Sequence, residues 1–315
     1  MPDQISGGGR KAAACLALLL LALATGCSLY GGVMPPSPSG DPLNRVHGVP
    51  FYAQEEYQCG PAALAMAMTW SGLPVLPDEL TSQVYTPSRK GSIQPDMITA
   101  ARRRGRMAYV IHGADSLSSE IAEGVPVVVL QNLGLSWYPV WHYAVVVGLD
   151  RETGEVILNS GPTRMKRTPW RVFENTWGPD FWGLLVLPPS RLPAVAEEKP
   201  WLEGAVGLER AGQPAAAREA YASAATRWPN SHDAWIGLGN TRYAGGDAEG
   251  SAEAFRRAAE ARPDSGIAFN NLAFVLNELG RRDEALKAAR KAVSLGGPQI
   301  ETFRRTLSDI ERAAP

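Results

Sequence analysis

Hydrophobic and polar positions fall into four patterns along the chain. An unbroken apolar run covers 12–24, behind Arg10 and Lys11. It is shorter than the ~20 residues that a membrane-crossing helix needs. Residues 28–44 are rich in glycine, proline and serine and read as a tether with little to bury. Between 46 and 187 two periodicities alternate, predicting helices over 61–70, 78–84 and 95–104. Strands are predicted over 107–111, 125–130, 142–149, 156–159 and 183–187. A helical half followed by a strand-rich half predicts an α+β domain over 46–189. Prolines then punctuate a linker over 190–200, and an amphipathic helical pattern runs to residue 315.

That last stretch repeats itself. Trp201, Trp235, Phe269 and Phe303 recur every 34 residues, as do Gly212, Gly246 and Gly280, and Ala224, Ala258 and Ala292. Pro229 and Pro263 keep the same interval. Small alanines let paired helices approach, an aromatic fills the gap to the next pair, and glycine closes the first helix. The period and its residues resemble the tetratricopeptide repeat. Three repeats over 201–315 are expected, with a capping helix from Phe303. They form either a groove for a protein or peptide partner or a stack that serves only its own stability.

Composition changes little: 45% hydrophobic and 20% charged residues describe a globular protein, and a net charge of −1 gives no ground for a nucleic-acid partner. Cysteine usage changes more. The basic residues, the apolar run and Thr25-Gly26-Cys27 have the layout of an export signal over 1–26. Leu23-Ala24-Thr25-Gly26-Cys27 also resembles the lipobox of bacterial lipoproteins. The resemblance implies lipidation of Cys27, a tether over 27–45, and anchoring to a membrane of the cell envelope. Ser28 in the next place implies the periplasmic side of the outer membrane. Cys15 leaves with the signal and Cys27 becomes a thioether, so Cys59 is left as the lone thiol. In an exported protein an unpaired cysteine points to reactivity.

Cys59 is followed by Gly60, Pro61 and the apolar run Ala62-Ala63-Leu64-Ala65-Met66, so it sits at a helix start where free N–H groups favour thiolate. The segment is similar to the nucleophile motif of the bacteriocin-leader-processing (double-glycine) peptidases, members of the papain-like superfamily. That resemblance implies a papain-like α+β domain hydrolysing peptide bonds. It makes Cys59 the nucleophile and Gln54 an oxyanion donor, with Gln58 as the alternative. His142, opening the run Trp141-His142-Tyr143-Ala144-Val145-Val146, resembles the family's histidine motif and becomes the base. Asn159 in Asn159-Ser160-Gly161 is expected to orient the imidazole, with Asp150 as the alternative.

Trp137, Tyr138 and Trp141 line either a substrate cleft or an aromatic core. No glycine-rich phosphate loop and no paired Cys/His spacing is present, so neither nucleotide nor metal cofactor is expected. Two competing functions share these residues: an inactive peptidase fold that binds a protein partner, and acyl transfer or amide hydrolysis on cell-wall material.

Overall fold

The computed structural model describes residues 32–54, 58–89, 91–178 and 180–312; Cys27 and the expected signal lie outside them. The alanine, leucine and methionine run after Cys59 forms α1 (Cys59–Trp70), in which every residue from Gly60 to Met68 is buried. A helix that is apolar all round has no face for water, so it must lie between layers. α1 packs on a sheet on one side and against α2 (Asp78–Val84) and α3 (Gln94–Arg103) on the other.

The sheet is antiparallel, in the order β4-β9-β5-β6-β7-β8. Its strands are β4 (Met107–His112), β5 (Val127–Asn132), β6 (Trp141–Asp150), β7 (Glu155–Ser160), β8 (Thr163–Pro169) and β9 (Trp182–Leu187). β1 (Leu43–Arg45) pairs with the far end of β6, and β2 (Tyr85–Thr86) and β3 (Gly91–Ser92) form a separate ribbon. Alternation along β6 turns Tyr143, Val145 and Val147 into the core that holds α1. Ala144 and Val146 are buried on the opposite face with Val127 and Val129 of β5. There α4 (Ala114–Ala122) packs across β4, β5 and β6.

Besides α4 and the short β1, β2 and β3, two further elements escape the hydrophobic pattern. β8 is an edge strand exposed along most of its length, so its sequence Thr-Arg-Met-Lys-Arg-Thr-Pro carries no apolar alternation. α5 (Trp170–Thr176) buries Trp170 and Phe173 in seven residues, too few to show a helical period.

The C-terminal region is helical, as the repeat predicts. Helices α6 (Glu198–Arg210) and α7 (Pro214–Arg227), α8 (His232–Ala244) and α9 (Ala248–Ala261), and α10 (Gly266–Glu278) and α11 (Arg282–Leu295) pair in turn, and α12 (Ile300–Arg312) closes the stack. Ala224, Ala258 and Ala292 are fully buried where partner helices meet.

The stretch between sheet and repeats is fastened. The Val195 N–H donates to Glu120 Oε1 (3.1 Å), and the Glu197 N–H donates to the Tyr109 hydroxyl (3.0 Å). Trp201 of α6 stacks near the Tyr109 ring at 6.2 Å, and Gln213 donates to the Arg103 carbonyl (2.8 Å). The first repeat is thereby built onto β4 and the end of α3.

Glu120 gives this junction a pH signature. Its side chain is buried, Oε2 has no partner, and burial pushes its carboxyl up to about 7 from 4.5. A raised carboxyl means that the folded chain keeps a proton the unfolded chain releases, so stability declines as pH climbs from about 4.5 through about 7. The decline attributable to Glu120 is about 3 kcal/mol. Urea unfolding at pH 5 and pH 8 should show Glu120→Gln losing less stability across that interval than the native chain; equal losses would remove this account of the junction.

Candidate active site

Cys59 is the first residue of α1 and is half-buried. The backbone N–H groups of Tyr143, Gly60 and Cys59 itself lie close enough to its sulfur to favour the thiolate. Two of these come from the helix start, where N–H groups have no partner within the helix. The third comes from β6. The sequence predicts a thiol lowered by such donors; instead burial dominates and pushes the Cys59 thiol above its ordinary 9.0, with the donors offsetting only part. Desolvation penalises the thiolate more than the N–H groups favour it.

Gly60 makes the close approach of β3 feasible. A Cβ at this position would lie 2.5 Å from Ser92 Cβ, with Tyr143 Cδ2 at 3.7 Å. No side chain fits between the helix start and that ribbon.

His142 precedes Tyr143 on β6, so the strand that donates to the sulfur also carries the imidazole. Its Nε2 lies 3.0 Å from Ser160 Oγ at the end of β7. Burial, and to a smaller extent Lys166, lowers the imidazole below its ordinary 6.5. A ring held through Nε2 has Nδ1 left for proton exchange. With the thiol raised and the imidazole lowered, each of the two groups is uncharged at neutral pH.

Asn159, expected to orient His142, is directed elsewhere. It pairs across from Val145, three residues along β6 from His142. Its Oδ1 accepts from the Met165 N–H (3.1 Å), and its Nδ2 faces the Pro50 carbonyl at 3.5 Å. The β6–β7 turn centres between Asp150 and Glu155, later than an Asn159–His142 pairing requires. Ser160, one residue on, projects to the other side of β7 and meets the ring. Sequence reasoning passed over it, although strand alternation next to Asn159 was the available signal. Asp150, the alternative, sits at the opposite end of β6 and binds Arg167 at 2.9 Å. The Arg167 hydrogen bond holds its carboxyl below the ordinary value.

Gln54 stands beside the thiol's partner strand: Nε2 donates to the Tyr143 carbonyl (3.2 Å) and Oε1 accepts from the Gly161 N–H (2.9 Å). Gln58 turns away, accepting from Thr81 Oγ1 of α2 (3.1 Å). Trp137, Tyr138 and Trp141 are 79%, 69% and 50% exposed, so they are not core packing.

The model of the Peptidase_C39-like family matches residues 46–180, the stretch that holds Gln54, Cys59, His142 and Ser160, and a tetratricopeptide-repeat model matches 202–266 and 239–300. The chain is a Peptidase_C39-like domain followed by tetratricopeptide repeats. Among solved structures, a crystal structure of MamA is 19% identical, with 36% of this chain aligned to 66% of that one at a TM-score of 0.34. This chain therefore spans just under two thirds of the length of that structure. The Yersinia enterocolitica type III secretion translocator chaperone SycD is 17% identical, with 36% of this chain aligned to 82% of that one at a TM-score of 0.34. Likeness at that level says nothing of what the repeats bind. No curated protein matches the chain.

The raised thiol in the peptidase-like domain predicts how Cys59 reacts. Alkylation by iodoacetamide, followed by mass spectrometry, should be slower at pH 7 than that of free cysteine and should climb steeply only above pH 9. A rate already at its plateau at pH 6 would mean a preformed ion pair instead. Separately, Gly60→Ala should destabilise the domain by about 1–3 kcal/mol in urea unfolding. Adding Ser92→Gly should recover most of that; no recovery would show that the crowding is not with Ser92.

Proposed function

We propose that the Peptidase_C39-like domain is a cysteine peptidase that hydrolyses peptide bonds, with Cys59 as nucleophile and His142 as base. The observation carrying this reading is that the Cys59 sulfur binds the Tyr143 N–H, one residue from an imidazole held at Nε2 by Ser160.

The chemistry follows from those positions. The Cys59 thiol passes its proton to His142 Nδ1 as sulfur attacks the substrate carbonyl. Negative charge collects on the carbonyl oxygen, where the N–H of Cys59 and the second amide hydrogen of Gln54 are the donors at hand. Collapse expels the amine, which takes the proton back from the imidazolium and leaves a thioester. Water, deprotonated by the same imidazole, then releases the acid and restores the thiol. Ser160 acts through His142 by fixing the ring, and is a positioning residue. In an uncharged resting pair, proton transfer belongs to the attack step and not to the free enzyme.

An inactive fold that binds a protein partner is the competing reading, and the burial-raised thiol favours it. Hydrolysis of casein peptides, followed by mass spectrometry, separates the two. Cys59→Ala should abolish cleavage, and His142→Ala should lower kcat by about 10²-fold or more. Ser160→Ala should lower kcat with little change in KM, and Ser160→Thr should restore it. Cleavage that persists in Cys59→Ala would end the peptidase reading.

The same proposal includes location and partners. Lipidation of Cys27 would tether the domain to an envelope membrane, most simply the periplasmic side of the outer membrane, and the repeats would hold a protein or peptide partner. No helix among the described residues is long and apolar enough to cross a membrane. Fatty-acid labelling of cells should mark the native chain and be lost in Cys27→Ser; label retained in that variant would place any lipid elsewhere.

A further inference from the structure

Between β5 and β6 the chain continues past the sheet as a narrow hairpin. The Leu133 N–H donates to the Val140 carbonyl (2.8 Å), and Leu135 and Tyr138 exchange two backbone hydrogen bonds at 3.1 Å. Asn132 Oδ1 braces the base of the hairpin by accepting from the N–H groups of Gly134 (3.0 Å) and Val140 (2.9 Å). Gly134 is required there, since a Cβ would lie 2.8 Å from the Val140 nitrogen. These bonds make the hairpin an ordered extension of two strands.

Its register is continuous with the sheet. Gln131 pairs with His142 and Asn132 with Trp141, and the bridge between Leu135 and Tyr138 keeps the same alignment. Alternation then places Leu133, Val140, Leu135 and Tyr138 on the face that carries Gln131 and His142. Gln131 is the last covered rung, donating to Thr176 Oγ1 at the end of α5 (2.7 Å). Beyond it the face is open: Leu133, Leu135, Tyr138 and Val140 are 52%, 57%, 69% and 49% exposed, and Trp137 at the tip is 79% exposed. An ordered backbone displaying five large apolar side chains to water is a binding surface in search of its occupant.

We propose that this stripe is the substrate-docking surface of the peptidase-like domain and takes an extended, apolar segment of polypeptide on one side of the scissile bond. The occupant follows from continuity, since the stripe begins at the rung of the proposed base. Rungs two residues apart lie ~7 Å from each other, so two apolar rungs reach ~14 Å past His142. That length matches about four extended residues, with apolar side chains at alternate positions facing the hairpin. The proposal rests on the peptidase reading for the place of the bond, but docking itself needs no catalysis.

The test therefore uses the full chain carrying Cys59→Ala, with fluorescein-labelled twelve-residue peptides as probes. One peptide alternates Leu or Val with Thr; the other has Ser at every Leu and Val. Fluorescence anisotropy should show the apolar peptide binding, the Ser peptide not, and Leu135→Ser with Tyr138→Ser weakening binding about tenfold or more. Phosphatidylglycerol vesicles should not displace the peptide. Unchanged affinity in the hairpin variant, with its circular dichroism intact, would overturn the proposal, as would preferential binding of vesicles to the hairpin. If apolar binding holds while native chain cleaves nothing, the peptidase reading fails alone. If the hairpin variant with Cys59 intact cleaves casein peptides as well as the native chain, the docking proposal fails alone.

Discussion

The approach of the Tyr143 N–H to the Cys59 sulfur brings the start of α1 to the stretch of β6 that also carries His142. The other site contacts depend on that junction. It requires α1 to be apolar on every side, because the helix must lie flat on the sheet while α2 and α3 cover its back. It requires glycine at position 60, because β3 closes over the same spot. It also requires β7 to leave β6 before Tyr143, since β7 pairs only from Val145 onward and frees the strand edge that meets the sulfur. Gln54 fills part of that gap with bonds to the Tyr143 carbonyl and the Gly161 N–H.

The electrostatics of the junction pull in two directions. Backbone N–H groups converge on the sulfur, yet the burial that makes the convergence possible removes the water a thiolate would need. The imidazole is subject to the same burial, with the charge of Lys166 adding to it. The outcome is a thiol and a neutral imidazole at rest. In the proposed mechanism, proton exchange between them is a step that bound substrate must draw out, which makes the means of holding substrate as important as the two groups themselves. The exposed apolar hairpin that continues from His142 acquires its significance in this setting.

Much of this was legible in the residues. The cysteine before Gly60 and Pro61, the histidine heading a valine-rich strand, and the 34-residue recurrence of Trp201, Trp235, Phe269 and Phe303 each carry a local physical reason that survives folding. What could not be read depends on register. Asn159 and Ser160 are neighbours in sequence but face opposite sides of β7, and the position of the β6–β7 turn decides which of them meets the ring. β8 was invisible because an edge strand exposed on both faces has no apolar alternation to display. The direction of the thiol shift was also beyond reach, since it depends on how deeply the helix start is packed and not on the residues that flank it.

The central claim is that Cys59 and His142 work as one proton-sharing pair, and acyl-enzyme trapping tests it most directly. The full chain would be exposed to a peptidyl p-nitrophenyl ester at neutral pH and quenched in acid, and intact-mass and fragment spectra would locate the acyl group. The account predicts one acyl group per chain, on Cys59, forming rapidly in the native protein and at least about 10²-fold more slowly in His142→Ala. An acyl group on another residue, or equal rates with and without the imidazole, would contradict it.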